Sequence, residues 1–168
     1  MKTLWTPWRM EHVLGTTPAL PGCLFEPPGT ASQDLAHLLL YRDDQTVVLL
    51  NRFPYANGHL LVAPRRHLAD LTELTAEENC RIMAMLTTCC TVLRRHLQPH
   101  GINIGLNLGS AAGAGIADHL HFHLVPRWQG DHNFMTVCAE VRTIPQHIEN
   151  TFTQLAPDFL SLCTPPAP

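Results

Sequence analysis

Apolar and polar residues alternate most strictly between positions 118 and 128, where the chain reads Asp-His-Leu-His-Phe-His-Leu-Val-Pro-Arg-Trp. Side chains of an extended strand point alternately to opposite faces. The pattern therefore predicts a strand over 119–125, with Leu120, Phe122 and Leu124 toward a core and His119, His121 and His123 together on the other face. At ~3.3 Å per residue the three imidazoles share a surface about 13 Å long. Two shorter apolar runs, 46–50 and 59–63, flank the turn formers Pro54, Asn57 and Gly58 and predict a hairpin with a long loop. After Leu74 the period becomes helical. Thr75 is suited to cap a helix, Glu78 completes a capping box, and Ile82, Met85, Leu86, Cys89 and Leu93 recur on one face. This helix runs to about Leu97 and is ended by Pro99 and Gly101. Residues 102–108 read as a further strand, 109–117 as a loop of small residues, 130–133 as a turn, and 145–162 as a weaker helix.

The predicted order is strand, strand, helix, strand, strand, helix, with hairpin-length links between paired strands. That order implies an α+β fold, an antiparallel β-sheet with helices packed on it. A chain of 168 residues makes one domain, 1–168, able to bury about two-thirds of its unfolded surface. Within it, residues 1–33 carry Trp5, Trp8 and Phe25 among prolines and glycines and read as a segment wrapped over the domain. Residues 164–168, with three prolines in five positions, read as a frayed tail.

Charge removes some functions. A net charge of −3 and a pI near 6.4 leave no basic stripe to neutralise a run of phosphates, so a nucleic-acid polymer is not an expected partner. A small phosphate ligand can still be held by backbone N–H groups and a few imidazoles. No apolar run approaches the ~20 residues needed to span a membrane. Six cysteines without a secretory leader point to a reducing, cytoplasmic setting, in which Cys80, Cys89 and Cys90 read as small buried hydrophobes of the long helix.

Imidazole is the side chain best suited to nucleophilic or proton-transfer chemistry near neutral pH, and it is a common metal ligand. One face bearing three of them suits a catalytic strand or a zinc-ligand strand. Just upstream, Gly105 to Gly115 reads Gly-Leu-Asn-Leu-Gly-Ser-Ala-Ala-Gly-Ala-Gly. Glycines allow backbone N–H groups to approach an anion closely, so this loop could rest a phosphate within reach of the middle histidine. Asn51, at the end of a predicted strand, suits either a turn cap or a hydrogen bond to a sugar hydroxyl. His12, His37, His96, His100 and His147 stand in no comparable constellation and read as surface residues.

The run His119-Leu120-His121-Phe122-His123-Leu124-Val125 resembles the histidine-triad signature of a superfamily of nucleotide hydrolases and transferases, and the stretch from Asn51 to Pro64 is similar to that family's other typical motif. The resemblance extends from about Trp5 to Phe134. Trp5-Thr6-Pro7-Trp8-Arg9-Met10, Asn107-Leu108-Gly109 and Pro126-Arg127-Trp128-Gln129-Gly130-Asp131 look like the bacterial branch containing diadenosine tetraphosphate phosphorylases and related hydrolases. The resemblance implies that His121 attacks the α-phosphorus of a nucleotide to form a nucleotidyl-imidazole, assisted by His119 and His123. Asn51 would bind ribose, and Asn107, Gly109, Ser110, Gly113, Ala114 and Gly115 would line the phosphate region. Trp128 matches a position associated with the phosphorylase branch, and a homodimer is implied.

Two departures follow. Relatives with zinc carry Cys-x-x-Cys near the N-terminus, whereas this chain has Cys23-Leu24-Phe25-Glu26. The set Cys23, Glu26, His67 and His119 is chemically allowed but weaker for zinc, so no firmly bound metal and no required cofactor are expected, with Mg2+ at most accompanying the substrate. Ahead of the triad stand Ala114 and Gly115, where animal hydrolases usually have Gln and phosphorylases Gly-Ser. The acceptor, phosphate or water, stays open, with phosphorolysis slightly favoured by Trp128. The alternatives are a purine nucleoside phosphoramidate hydrolase, a nucleotide-binding module without turnover, and a metal-binding domain.

Overall fold

The computed structural model describes residues 22–131 and 146–162. Trp5, Trp8, His12 and the 164–168 tail lie outside the described residues. Five strands, β1 (Leu39–Arg42), β2 (Thr46–Leu50), β3 (Leu60–Pro64), β4 (Gly101–Leu106) and β5 (Phe122–Arg127), form one sheet in the order β1-β2-β3-β5-β4. Every neighbouring pair is antiparallel. Among the described residues two α-helices accompany it, α1 (Ala76–Leu97) and α2 (Ile148–Leu162). This is the α+β arrangement that the element order predicts.

Helix α1 begins where the capping box places it: Thr75 Oγ1 accepts the Glu78 N–H at 3.2 Å, and the Glu78 carboxylate accepts the Thr75 N–H at 2.8 Å. Its buried stripe is Ile82, Met85, Leu86, Cys89, Val92 and Leu93. Cys80 departs from expectation and is exposed, because it falls on the opposite side of that stripe, while Cys90 is half-buried.

The expected hairpin of β2 and β3 is present, but β1 was not foreseen. Its residues Leu39, Leu40 and Tyr41 are all buried, so they show no polar alternation. The sheet is covered on both faces, which turns strands into continuous apolar runs. Leu40, Val48, Leu50, Leu60, Val62 and Leu124 pack toward the two helices. Their alternates Leu39, Val47, Leu49, Leu61 and Ala63 face the other way and are covered by Phe25 with Cys23, Leu24 and Ile116. In the register of β3 with β5, Leu61 pairs with His123, so the histidines belong to this second face.

The expected strand over 119–125 is corrected at its start. The ladder begins at Phe122, and His119 to His121 lie ahead of it outside the strand, with a bend at His119. Continued past Val62 and Phe122, the register would set Ala63 opposite His121 and then Pro64 opposite Leu120, and Pro64 has no N–H to donate. Its carbonyl instead accepts from the His119 ring at 2.9 Å, and Leu120 N–H donates to Leu68 O.

The loop between β2 and β3 is held by close packing at Gly58. Its φ is +73°, and a Cβ there would lie 2.3 Å from Leu97 Cδ1. Gly58→Ala should lower stability by about 1–3 kcal/mol, combining left-handed backbone strain with a shift of Leu97. The urea unfolding midpoint checks this.

Candidate active site

The rings of His59, His119, His121 and His123 gather on the second face, and a fifth, His67, meets His119 at 4.8 Å between centroids. His121 and His123 lie 4.9 Å apart between ring centroids, and His59 and His123 lie 5.2 Å apart. Phe25, fully buried, stacks on His121 at 4.8 Å and contacts His119 at 5.1 Å. His119 is 1% and His121 6% exposed. Burial, the first cause in each case, holds the pKa values of all three triad histidines below their ordinary range, that of His123 at about 4. All three are neutral at pH 7.

A neutral imidazole has one proton for two nitrogens, and its partners decide where that proton sits. His121 Nδ1 lies 2.8 Å from the carbonyl oxygen of His119, so Nδ1 carries the proton and Nε2 keeps its lone pair. His119 Nε2 faces the Pro64 carbonyl, so its Nδ1 holds a lone pair and accepts from the Cys23 thiol at 3.1 Å. Tyr55 N–H, which can only donate, points at His59 Nδ1 at 3.2 Å. His59 therefore carries its proton on Nε2 and donates it to His123 Nδ1 at 3.0 Å. His123 is left with an N–H at Nε2. A nucleophilic nitrogen thus stands beside a ring that can donate a hydrogen bond.

The structure brings Asn51 to the edge of this chain. Its Oδ1 accepts the Phe53 N–H at 3.0 Å and its Nδ2 lies 3.3 Å from His59 Nδ1. The register of β4 with β5 pairs Gly105 with His123 and Leu106 with Phe122, so one further step sets Asn107 opposite His121. The phosphate-loop candidates follow directly: Gly109 and Gly113 have positive φ around a short 3-10 turn at Ser110–Ala112, Asn107 Nδ2 reaches Gly113 O at 3.4 Å, and Ala114 N–H returns to Gly109 O. Gly115 is exposed beside Ala114.

Trp128 goes elsewhere. It has the opposite strand parity from the triad, and its indole N–H donates to Leu97 O at the end of α1, on the helix side of the sheet. Five positions along β5 from His123, it stands roughly 16 Å away by strand rise.

Cys23, Glu26, His67 and His119 offer ligand atoms that all lie within 4.8 Å of one another. Glu26 makes the set weak in sequence, yet the fold gathers all four. His67 Nδ1 lies 3.0 Å from Glu26 Oε1, and the Pro64 bond leaves His119 Nδ1 pointing into the cluster. One thiol, one carboxylate and two imidazoles fit a tetrahedral zinc ion.

Sequence reasoning missed His59, Tyr55 and Phe25 as parts of the site. The signal for His59 was parity, since it lies two positions before Leu61 on the strand next to the triad. Tyr55 stacks over His59 at 4.7 Å and His123 at 6.0 Å.

The HIT domain profile matches residues 33–130. The chain belongs to the HIT domain family. An AP-4-A phosphorylase from Mycobacterium tuberculosis is 36% identical over 169 aligned residues, covering 95% of this chain and 85% of the relative. Among solved structures, a zinc-bound histidine triad family protein from Mycobacterium smegmatis aligns with a TM-score of 0.60 at 29% identity, over 75% of this chain and 86% of that one. A hypothetical histidine triad nucleotide-binding protein from Sulfolobus tokodaii has a TM-score of 0.61 at 22% identity, over 74% and 85%, and shows the shared fold. The HIT match ends before α2, so that helix lies outside the matched domain.

Burial of the neutral triad makes stability depend on pH. In the unfolded chain these histidines bind protons near their ordinary value of 6.5, and in the folded protein only at lower pH. The unfolded state is protonated first, so stability is full above about pH 6.5 and falls as pH drops toward about 4. Urea unfolding followed across that window should show the decline, and His123→Gln should make it shallower.

Proposed function

We propose that this HIT-family enzyme transfers a nucleotidyl group from a dinucleoside polyphosphate, with diadenosine tetraphosphate as substrate, through a covalent intermediate on His121. The observation that carries this reading is the pairing of proton positions: a lone pair on His121 Nε2 beside an N–H on His123 Nε2. The similarity to a named AP-4-A phosphorylase over almost the whole chain supports the substrate.

His121 Nε2 forms a bond to the α-phosphorus while the bond from that phosphorus to the bridging oxygen breaks, and ATP departs with the electron pair. His123 Nε2–H hydrogen-bonds a non-bridging or leaving oxygen, where charge develops. The loop from Asn107 to Gly115 offers backbone N–H groups to the phosphates, and Asn51 a hydrogen bond to ribose. An acceptor then attacks the phosphorus, and His121 regains its lone pair. Phosphate as acceptor gives ADP, and water gives AMP. Phosphorolysis is the reading favoured here, because the phosphorylase relative matches 95% of this chain.

This chemistry needs no cofactor held by the protein, and Mg2+ enters as a counter-charge of the polyphosphate. Cys23, Glu26, His67 and His119 would hold a zinc ion, which supplies a cross-link between the 23–26 segment and the triad chain. No bond-making step passes through it. A homodimer, as the resemblance implies, and a cytoplasmic setting, consistent with free thiols at Cys23, Cys80, Cys89 and Cys90, complete the proposal. Among the described residues no helix is long and apolar enough to cross a membrane.

The test is product chromatography after incubation with diadenosine tetraphosphate, with and without inorganic phosphate. ADP with ATP only when phosphate is present is the expected result. AMP with ATP would make the enzyme a hydrolase, and no turnover would remove the substrate and favour phosphoramidates or a binding role. His121→Ala should lower turnover about 10³-fold or more while retaining nucleotide binding. Because the His121 pKa is held below 6.5, the acid limb of kcat/KM should fall below that value.

A further inference from the structure

We infer that Thr151, in the first turn of α2, is a positioning residue for the histidine relay, acting through Asn57 on the loop between β2 and β3. The inference rests on the proposed roles of His121 and His123, but its geometry is independent of the substrate. Thr151 is 1% exposed, and its hydroxyl donates to Asn57 Oδ1 at 2.8 Å. The Asn57 amide in turn donates to Gln146 Oε1 at 3.0 Å, and that oxygen lies 3.3 Å from the Thr151 hydroxyl. Three polar side chains thus close on one another where α2 meets the loop.

Helix α2 is itself a firm support. Phe152, Leu155 and Phe159 enter the main core, Gln33 Nε2 donates to Ala156 O at 2.6 Å, and Gln154 Nε2 donates to His96 O in the last turn of α1 at 2.9 Å.

What the clasp holds is the loop that sets a proton. Asn57 is followed by Gly58, pressed against Leu97 and Leu93, and then by His59. Two residues before the clasp, Tyr55 N–H meets His59 Nδ1. That amide, with the Asn51 side-chain amide at 3.3 Å from the same nitrogen, makes His59 donate from Nε2, which in turn makes His123 present Nε2–H. If Asn57 loses its anchor, the Tyr55 amide can leave Nδ1, and only the longer Asn51 contact then opposes a proton on that nitrogen. Both Thr151 and Gln146 lie beyond residues 33–130, so an extension outside the HIT match governs proton positions inside it.

Thr151→Val keeps the side-chain shape and removes the donor. We expect kcat to fall about tenfold, the size of one lost buried hydrogen bond, and the pH profile of kcat to shift, with Thr151→Ser restoring both. Asn57→Ala should produce the same shift, and the double variant should be no worse than either single one. Long-range ¹H–¹⁵N spectra of the imidazoles give a readout without substrate: wild type should show His59 and His123 as Nε2–H tautomers, and Thr151→Val should show a mixture. A wild-type enzyme inert toward diadenosine tetraphosphate would overturn the functional reading and leave the tautomer result to decide this one. Wild-type tautomers together with a wild-type pH profile in folded Thr151→Val and Asn57→Ala would overturn the inference, whatever their melting temperatures.

Discussion

One proton shared between two ring nitrogens is the constraint on which this site depends. Left alone, an imidazole exchanges that proton freely, and a cluster of four would populate many arrangements. Here the arrangement is imposed by backbone groups whose roles cannot change: carbonyls of His119 and Pro64 that only accept, and an amide of Tyr55 that only donates. Three such fixed points, with the Asn51 side-chain amide beside His59 Nδ1, set the proton positions on this face.

Fixed points work only where water cannot compete. The second face is closed by Phe25 lying over His119 and His121, and the sheet beneath it is apolar on both sides. That burial also keeps the rings neutral, which a nucleophile requires and which a solvated imidazole near pH 6.5 would achieve only in part. The same desolvation that prepares the nucleophile is therefore a cost to stability in acid. Fold and chemistry draw on one term, so weakening the cover would change both.

Much of this was legible in the chain. The alternation of His119, His121 and His123 gave their common face, and Thr75 with Glu78 gave the start of α1. Strand β1 was hidden because burial on both sides erases the two-residue period by which strands are recognised. The early end of the histidine ladder needed knowledge of its neighbour, since Pro64 matters only once β3 and β5 are known to pair. His59 and the convergence of Cys23, Glu26, His67 and His119 depend on contacts between residues far apart in sequence, which no local pattern encodes. Trp128, by contrast, could have been placed from its even position, opposite in parity to the triad.

Pro64 carries a further meaning. By ending the ladder, it leaves the nucleophile at the border between a stiff sheet and a chain that follows its own side-chain bonds. His123 is held by cross-strand pairing, as a part of the frame. His121, two residues earlier, is held by a bond to its own neighbour's carbonyl, and it can accept and release a phosphorus atom without straining any strand. The enzyme thus separates its reference point from its moving part within three residues, and the missing hydrogen of one proline draws the line between them.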